Sequence, residues 1–220
     1  MIYYFSATGN SRHVATRLAE ATGEKAVSIE DSGAVRTNPA DGERLGFVFP
    51  TYCWGLPTPA IEFLKALSAA GKPSYCYLVA TYGSTTGQIG RFASELLAEK
   101  GVDVSAFFGV RMPDTWTPMF DLSNKERVAE TNAAADISID KIAAQVRNRE
   151  TGDFMRAKVP YPLSWTYHTL ALPRMQQTRG FSLDAEACIG CGLCAKNCPA
   201  HAIAMENGGP AWTSPLCYAC

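Results

Sequence analysis

Ile2-Tyr3-Tyr4-Phe5-Ser6-Ala7-Thr8-Gly9-Asn10-Ser11 decides the fold of this 220-residue chain. The first four residues are β-branched or aromatic and read as a strand. A hydroxyl-rich turn follows, then a helix with Val14, Leu18 and Ala21 along one apolar stripe. Strand, tight turn and helix in immediate succession open a parallel α/β unit. The hydroxyls of Ser6, Thr8 and Ser11, with Gly9 permitting the turn, would surround a phosphate at the helix N-terminus. Free backbone N–H groups and the helix dipole favour an anion there. The plainer alternative is that Thr8 or Asn10 merely caps the helix. No Gly-Lys-Ser/Thr ends the turn, so it is not a Walker loop, nor is it Gly-x-Gly-x-x-Gly.

The same alternation continues through the first 150 residues. Strands are expected at Ile2–Phe5, Ala26–Ile29, Leu45–Pro50, Tyr75–Thr81 and Val104–Val110. Apolar stripes Ile61/Leu64/Leu67 and Ile89/Phe92/Leu96 mark two more helices. A capping-box pattern, Ser123-Asn-Lys-Glu126, opens a fourth, which carries Val128, Ala135, Ile139, Ile142 and Val146 on one face. The polar stretch Asp31–Glu43 is expected to hold no helix of any length. Five strands with helices on both faces make a three-layer α/β sandwich. In the order 2-1-3-4-5, the turns after strands one, three and four meet over one crevice at the strands' carboxyl ends, where such sheets bind ligands. Those later turns read Pro50-Thr51-Tyr52-Cys53-Trp54-Gly55-Leu56-Pro57 and Thr81-Tyr82-Gly83-Ser84. They add aromatics suited to a flat ring. Cys53 and Cys76 read as packed side chains.

Residues 151–180 differ in character. Pro160, Pro162 and Pro173 interrupt a stretch that carries Tyr161, Trp165 and Tyr167, which is read as a connector packing its aromatics against its neighbours. Residues 181–220 hold six of the chain's eight cysteines. Four fall in Cys188-x2-Cys191-x2-Cys194-x3-Cys198-Pro199, the run by which bacterial-type ferredoxins hold cubane iron–sulfur clusters. Cys217 and Cys220 follow. Ala202–Met205, the turn Glu206-Asn207-Gly208 and Trp212 read as a small hairpin. Zinc is the competing ligand, since Cys188/Cys191 with Cys217/Cys220 has zinc-ribbon spacing. That reading leaves Cys194 and Cys198 unexplained.

The three turns resemble those of flavodoxin. The resemblance implies that Ser6, Thr8, Gly9, Asn10 and Ser11 hold the phosphate of FMN. It also implies that Tyr52, Trp54 and Gly55, with Thr81, Tyr82 and Gly83, sandwich or edge the isoalloxazine. None of these turns carries an acidic residue. The cysteine module resembles the first part of a two-cluster bacterial ferredoxin. By that resemblance Cys188, Cys191 and Cys194 bind one 4Fe-4S cluster, and Cys198 crosses to a second with the run that holds Cys217 and Cys220. Such a module needs further cysteines. The chain is therefore expected to be a fragment of a longer protein, with two clusters in the complete protein and fewer or none intact here.

The expected fold is thus a flavodoxin-like doubly wound five-stranded sheet (residues 1–150), a connector (151–180) and a partial α+β ferredoxin-like module (181–220). The expected function is electron transfer between 4Fe-4S clusters and FMN, with a redox protein or a small electron acceptor as partner. The alternatives are an FMN-dependent oxidoreductase reducing a small acceptor such as a quinone, and a binding module that keeps the fold without flavin. No catalytic residue is assigned, and no hydrolase nucleophile motif follows a strand. A net charge of −1 gives no reason to expect nucleic acid or an acidic membrane as partner. No apolar run reaches the roughly 20 residues of a membrane span. The amino terminus lacks signal-peptide character, so a cytoplasmic location with reduced thiols is expected.

Overall fold

The computed structural model describes residues 1–31, 43–68 and 71–219. The expectation for the stretch between Asp31 and Glu43 falls on residues outside these. Six strands, β1 (Ile2–Tyr4), β2 (Ala26–Ser28), β3 (Arg44–Pro50), β4 (Tyr75–Tyr82), β5 (Ala106–Arg111) and β6 (Gly152–Asp153), form one sheet in the order β2-β1-β3-β4-β5-β6. All five pairings are parallel. The first five take the expected order. The sixth is a two-residue strand pairing Gly152 and Asp153 with Ala106 and Phe107, too short to leave a hydrophobic period in the sequence.

Alternation along the central strands builds two cores. Tyr75, Tyr77 and Val79 of β4 face one side, with Val48 of β3. There they meet Val14 and Leu18 of helix α1 (Asn10–Thr22) and Ile139, Ile142 and Val146 of α4 (Lys125–Arg147). Cys76, Leu78 and Ala80 face the other side with Phe47 and Phe49, against α2 (Thr58–Ala66) and α3 (Ile89–Ala98). β4 is buried in all but its last residue, as a middle strand covered on both faces must be. Of the expected stripe at α2, Leu64 and, just past the helix, Leu67 are buried. Ala60 and Phe63 are also buried, whereas Ile61 is only partly so.

Helix α4 starts one residue later than the capping box suggests. Asn124 is its N-cap and accepts a hydrogen bond from the Arg127 N–H at 2.9 Å. Ser123 is turned away by Asp121, whose carboxylate accepts from both its backbone N–H and its hydroxyl, each at 2.8 Å.

The connector contains a 15-residue helix, α5 (Tyr161–Met175). Its prolines hid it from the sequence reading, although two of them favour it. Pro160 is the N-cap and Pro162 sits in the first turn, where a missing N–H costs nothing; Pro173 falls in the last turn. Tyr161 and Tyr167 pack as expected of connector aromatics, on Phe92 and Trp54. Trp165 does not; it is 51% exposed. Beyond α5 lie the short helix α6 (Leu193–Lys196) and the antiparallel hairpin β7 (Ile203–Glu206) and β8 (Gly209–Trp212). Asn207 and Gly208 both take positive φ, 50° and 84°, at its two-residue turn, which suits the twist of the paired strands.

Candidate functional site

The turn after β1 sets the first wall of the site. Gly9 is the N-cap of α1 at φ 106°, and no side chain caps the helix. The terminus therefore keeps its N–H groups for something other than Thr8 or Asn10. Those two residues reach instead to the loop after β5. The Thr8 and Thr115 hydroxyls lie 2.7 Å apart, and Asn10 Nδ2 donates to the Pro113 carbonyl at 2.9 Å. Ser6 Oγ accepts from the Gly9 N–H at 3.2 Å, pinning the turn. Ser11 is buried, its hydroxyl 2.8 Å from that of Thr81. This pair ties α1 to the end of β4.

A cavity of about 60 Å³ lies beside this turn, lined by Ser6, Thr8, Asn10, Thr51, Thr81 and Tyr82 among others. It shares Thr51, Tyr52, Gly83, Asp114 and Thr115 with a larger space of about 310 Å³. The larger space is lined by Tyr52, Cys53, Trp54, Trp116, Phe120 and Tyr167 among others. The small polar end and the large aromatic end match a phosphate and a planar ring system. The Thr51 hydroxyl at their junction is buried without a hydrogen-bond partner, a group a ligand would satisfy. The residues present therefore fit a flavin nucleotide.

Not every residue named from sequence reaches the ring end. Tyr82 lines the small cavity, and its ring edge lies against Gly109 of β5. Gly55 is packed under His168, where a methyl group would collide with the imidazole. Tyr52 and Gly55 close a turn on each other through two backbone hydrogen bonds of 3.0 and 2.9 Å, which forces Cys53 and Trp54 to φ 47° and 64°. Left-handed backbone at two non-glycine residues is strained and needs outside support. Helix α5 supplies it. Ser164 Oγ donates to the Trp54 carbonyl at 2.7 Å, and His168 Nε2 lies 2.7 Å from the Leu56 carbonyl, which can only accept. The Gln88 N–H also donates to the Trp54 carbonyl, at 2.9 Å. Burial holds the His168 imidazole below its usual range, with the Leu56 bond opposing.

The sequence reading missed the loop after β5. Asp114, Thr115 and Trp116 form the far wall, and Pro113-Asp-Thr-Trp directly after a strand was the available signal. Asp114 supplies the acid that the other three turns lack. It faces both parts of the crevice, presses on Gly83 and accepts from the Trp116 N–H at 3.2 Å. Burial raises its carboxyl above the usual range, more than that hydrogen bond lowers it. Cys53, its thiol pushed up to about 11 by burial, sits 3.2 Å from Met175 Sδ. It is a packed neutral thiol.

Cys188, Cys191, Cys194 and Cys198 lie along a loop broken by Gly190 and Gly192, at φ 67° and 72°. Gly192 opens α6, which contains Cys194. Cys191 and Cys194 are exposed, whereas Cys188, Cys198 and Cys217 are half-buried, and all five are free thiols. Backbone N–H groups point at two sulfurs: Ala202 at Cys198 (3.4 Å) and Ala219 at Cys217 (3.3 Å). An all-thiol donor set with amide–sulfur hydrogen bonds fits an iron–sulfur cluster. Among the described residues, no three His, Cys, Asp or Glu side chains are placed to hold one metal ion. Cys220 lies outside the described residues. The module closes back on the first: the Cys217 N–H donates to the Gln176 carbonyl at 3.1 Å, and Ala219 lines the 310 Å³ cavity.

Comparison with known proteins agrees with this layout. Residues 1–138, more than half the chain, match the family described as flavodoxin domain. Residues 181–204 match the 4Fe-4S binding domain family. No curated protein matches. Similar solved structures include a two-electron reduced flavodoxin from Megasphaera elsdenii (19% identity, 62% of this chain and 97% of that one, TM-score 0.40). A WrbA-like flavodoxin from Agrobacterium tumefaciens has 14% identity over 68% of this chain and 97% of that one, with TM-score 0.41. The rubredoxin oxygen:oxidoreductase of Desulfovibrio gigas has 15% identity and TM-score 0.37 over 66% of this chain, which spans only 36% of that protein. Among the described residues, no helix is long and apolar enough to cross a membrane.

Proposed function

The chain belongs to the flavodoxin domain family and carries a 4Fe-4S-type segment, and from that premise we propose that it passes electrons between iron–sulfur clusters and an FMN held in the crevice. The two family matches support a redox, electron-transfer role. The observation that carries the specific reading is Ala219. This residue of the cysteine module lines the same cavity as Tyr52, Trp54 and Asp114, and its N–H is bonded to the sulfur of Cys217. In this reading a cluster ligand and the ring site are neighbours.

In this reading residues 1–150 hold the flavin, 151–180 connect and 181–220 hold the clusters. Ser6, Thr8, Asn10 and the uncapped start of α1 bind the phosphate. Tyr52 and Trp54 flank the ring, while Trp116 and Phe120 keep water from it. Asp114 places a carboxyl at the junction of ring and phosphate. Cys188, Cys191, Cys194, Cys198, Cys217 and Cys220 are the cluster thiolates. FMN when bound can take electrons singly or in pairs and a cubane cluster takes one, so the pair converts between the two kinds of chemistry.

A second reading, reduction of a small acceptor such as a quinone, has one observation in its favour. A cavity of about 570 Å³, sharing Gly83, Ser84, Asp114 and Phe120 with the ring space, leaves room beside it.

Anaerobic reconstitution of the full gene product with FMN, iron and sulfide tests the proposal. Flavin bands and broad cluster absorbance should be retained together after desalting. A protein that stays colourless after FMN addition contradicts it. Multiple turnover with quinones would favour the second reading.

A further inference from the structure

We infer that Tyr218 is the positioning residue that joins the two redox sites, and that the cluster held by Cys198 and Cys217 is the one that exchanges electrons with the flavin; this rests on the function proposed above. Tyr218 is half-buried within the Cys217-Tyr-Ala-Cys220 stretch, and its ring is set edge-on to Phe5, with centroids 6.0 Å apart at 86°. Phe5, directly after β1, is fully buried, and its ring meets Tyr52 at 6.5 Å and 79°. Tyr52 is a wall of the ring cavity. A continuous aromatic path therefore runs from the residue beside Cys217 to the flavin site. Among the described residues, no such path leads from the other end of the module. Cys191 and Cys194 are exposed there, with Ile189 and Leu193 at 88% and 57% exposure between and beside them. That end suits an external one-electron donor.

The edge-to-face contact fixes the module as well as bridging it. Around Tyr218 hydrogen bonds complete the attachment: Cys217 N–H to Gln176, Thr178 N–H to Pro215 at 3.0 Å, and the Thr178 hydroxyl to the Ser214 carbonyl at 2.7 Å. Each internal transfer oxidises one cluster by one electron and reduces the flavin by one. The external donor restores the cluster, and solvent supplies the flavin's protons.

The test uses the full gene product reconstituted with FMN, iron and sulfide, reduced by a flash-generated one-electron donor. Hydrogen exchange at Phe5 and at 176–178 is followed in parallel. Tyr218→Ala should slow the flavin absorbance change roughly tenfold or more, since small displacements of reacting groups act on that scale. It should also speed exchange at those amides, with flavin and cluster content unchanged. Tyr218→Phe should behave as the parent protein. If Tyr218→Ala loses its clusters, Tyr218→Leu, which keeps an apolar anchor, is read instead and should still be slow. Parent-like transfer in the substituted proteins overturns this inference and leaves the proposed function standing. Absence of internal transfer in the parent protein overturns both.

Discussion

The indole of Trp54 and the ring of Tyr167 lie 4.3 Å apart, centroid to centroid, at 41°. One belongs to the turn after β3, the other to a helix of the connector, so the connector fixes one aromatic wall of the 310 Å³ cavity. Tyr167→Ala removes a pair worth about 0.5–1.5 kcal/mol. It should weaken FMN binding by roughly 2- to 12-fold, read by titrating flavin fluorescence. Unchanged affinity would mean that Trp54 is positioned by its own turn.

Gly87 takes φ 51°, and a methyl group there would overlap the Trp54 carbonyl. That carbonyl is already engaged by Ser164 and Gln88 and cannot yield without breaking both bonds. Gly87→Ala should cost about 2–4 kcal/mol and lower the thermal midpoint by roughly 5–15 °C. A midpoint within a degree or two of the parent's contradicts the rigidity of this turn.

Burial depresses the His168 imidazole, so the unfolded chain binds its proton more readily than the folded one. Stability from this site is therefore full above about pH 6.5 and is lost as pH falls through the unfolded value toward the folded one. His168→Phe should flatten that part of the stability–pH curve. It should also cost about 1–3 kcal/mol at neutral pH by leaving the Leu56 carbonyl unpaired. Denaturant melts at several pH values read both effects.

Asp114 has the opposite sign. Its carboxyl is raised by burial, so its charged form destabilises the apoprotein above the ordinary carboxylate range, and the penalty disappears on acidification. Asp114→Asn should stabilise the apoprotein at pH 7 and make little difference near pH 3. In the flavin-loaded protein the same change should move the flavin reduction potential upward, because a carboxylate beside the ring opposes added electrons. A potential that does not move places Asp114 outside the ring's field.

The sheet order and the first turn were legible because strand runs and a hydroxyl-rich strand-to-helix junction leave local signatures. The Asn207-Gly208 hairpin was legible for the same reason. The support of the site was not. Helix α5 was masked by prolines that break helices inside but start them well. The buried role of His168 has no signature along the chain, since it arises from Phe92, Gly55 and Leu56, all more than 70 positions away in sequence. Tyr82 looked like a ring contact from its place at the end of β4; its side chain lies on Gly109. Which way a side chain turns at a strand end is set by tertiary packing.

Intramolecular transfer is decided by flash reduction of the reconstituted protein at several concentrations. Cluster absorbance should recover as the flavin bands bleach, with one shared time constant that does not change on dilution. A flavin that stays oxidised while the clusters are reduced, or a bleaching rate that falls in proportion to protein concentration, would contradict electron exchange within one chain.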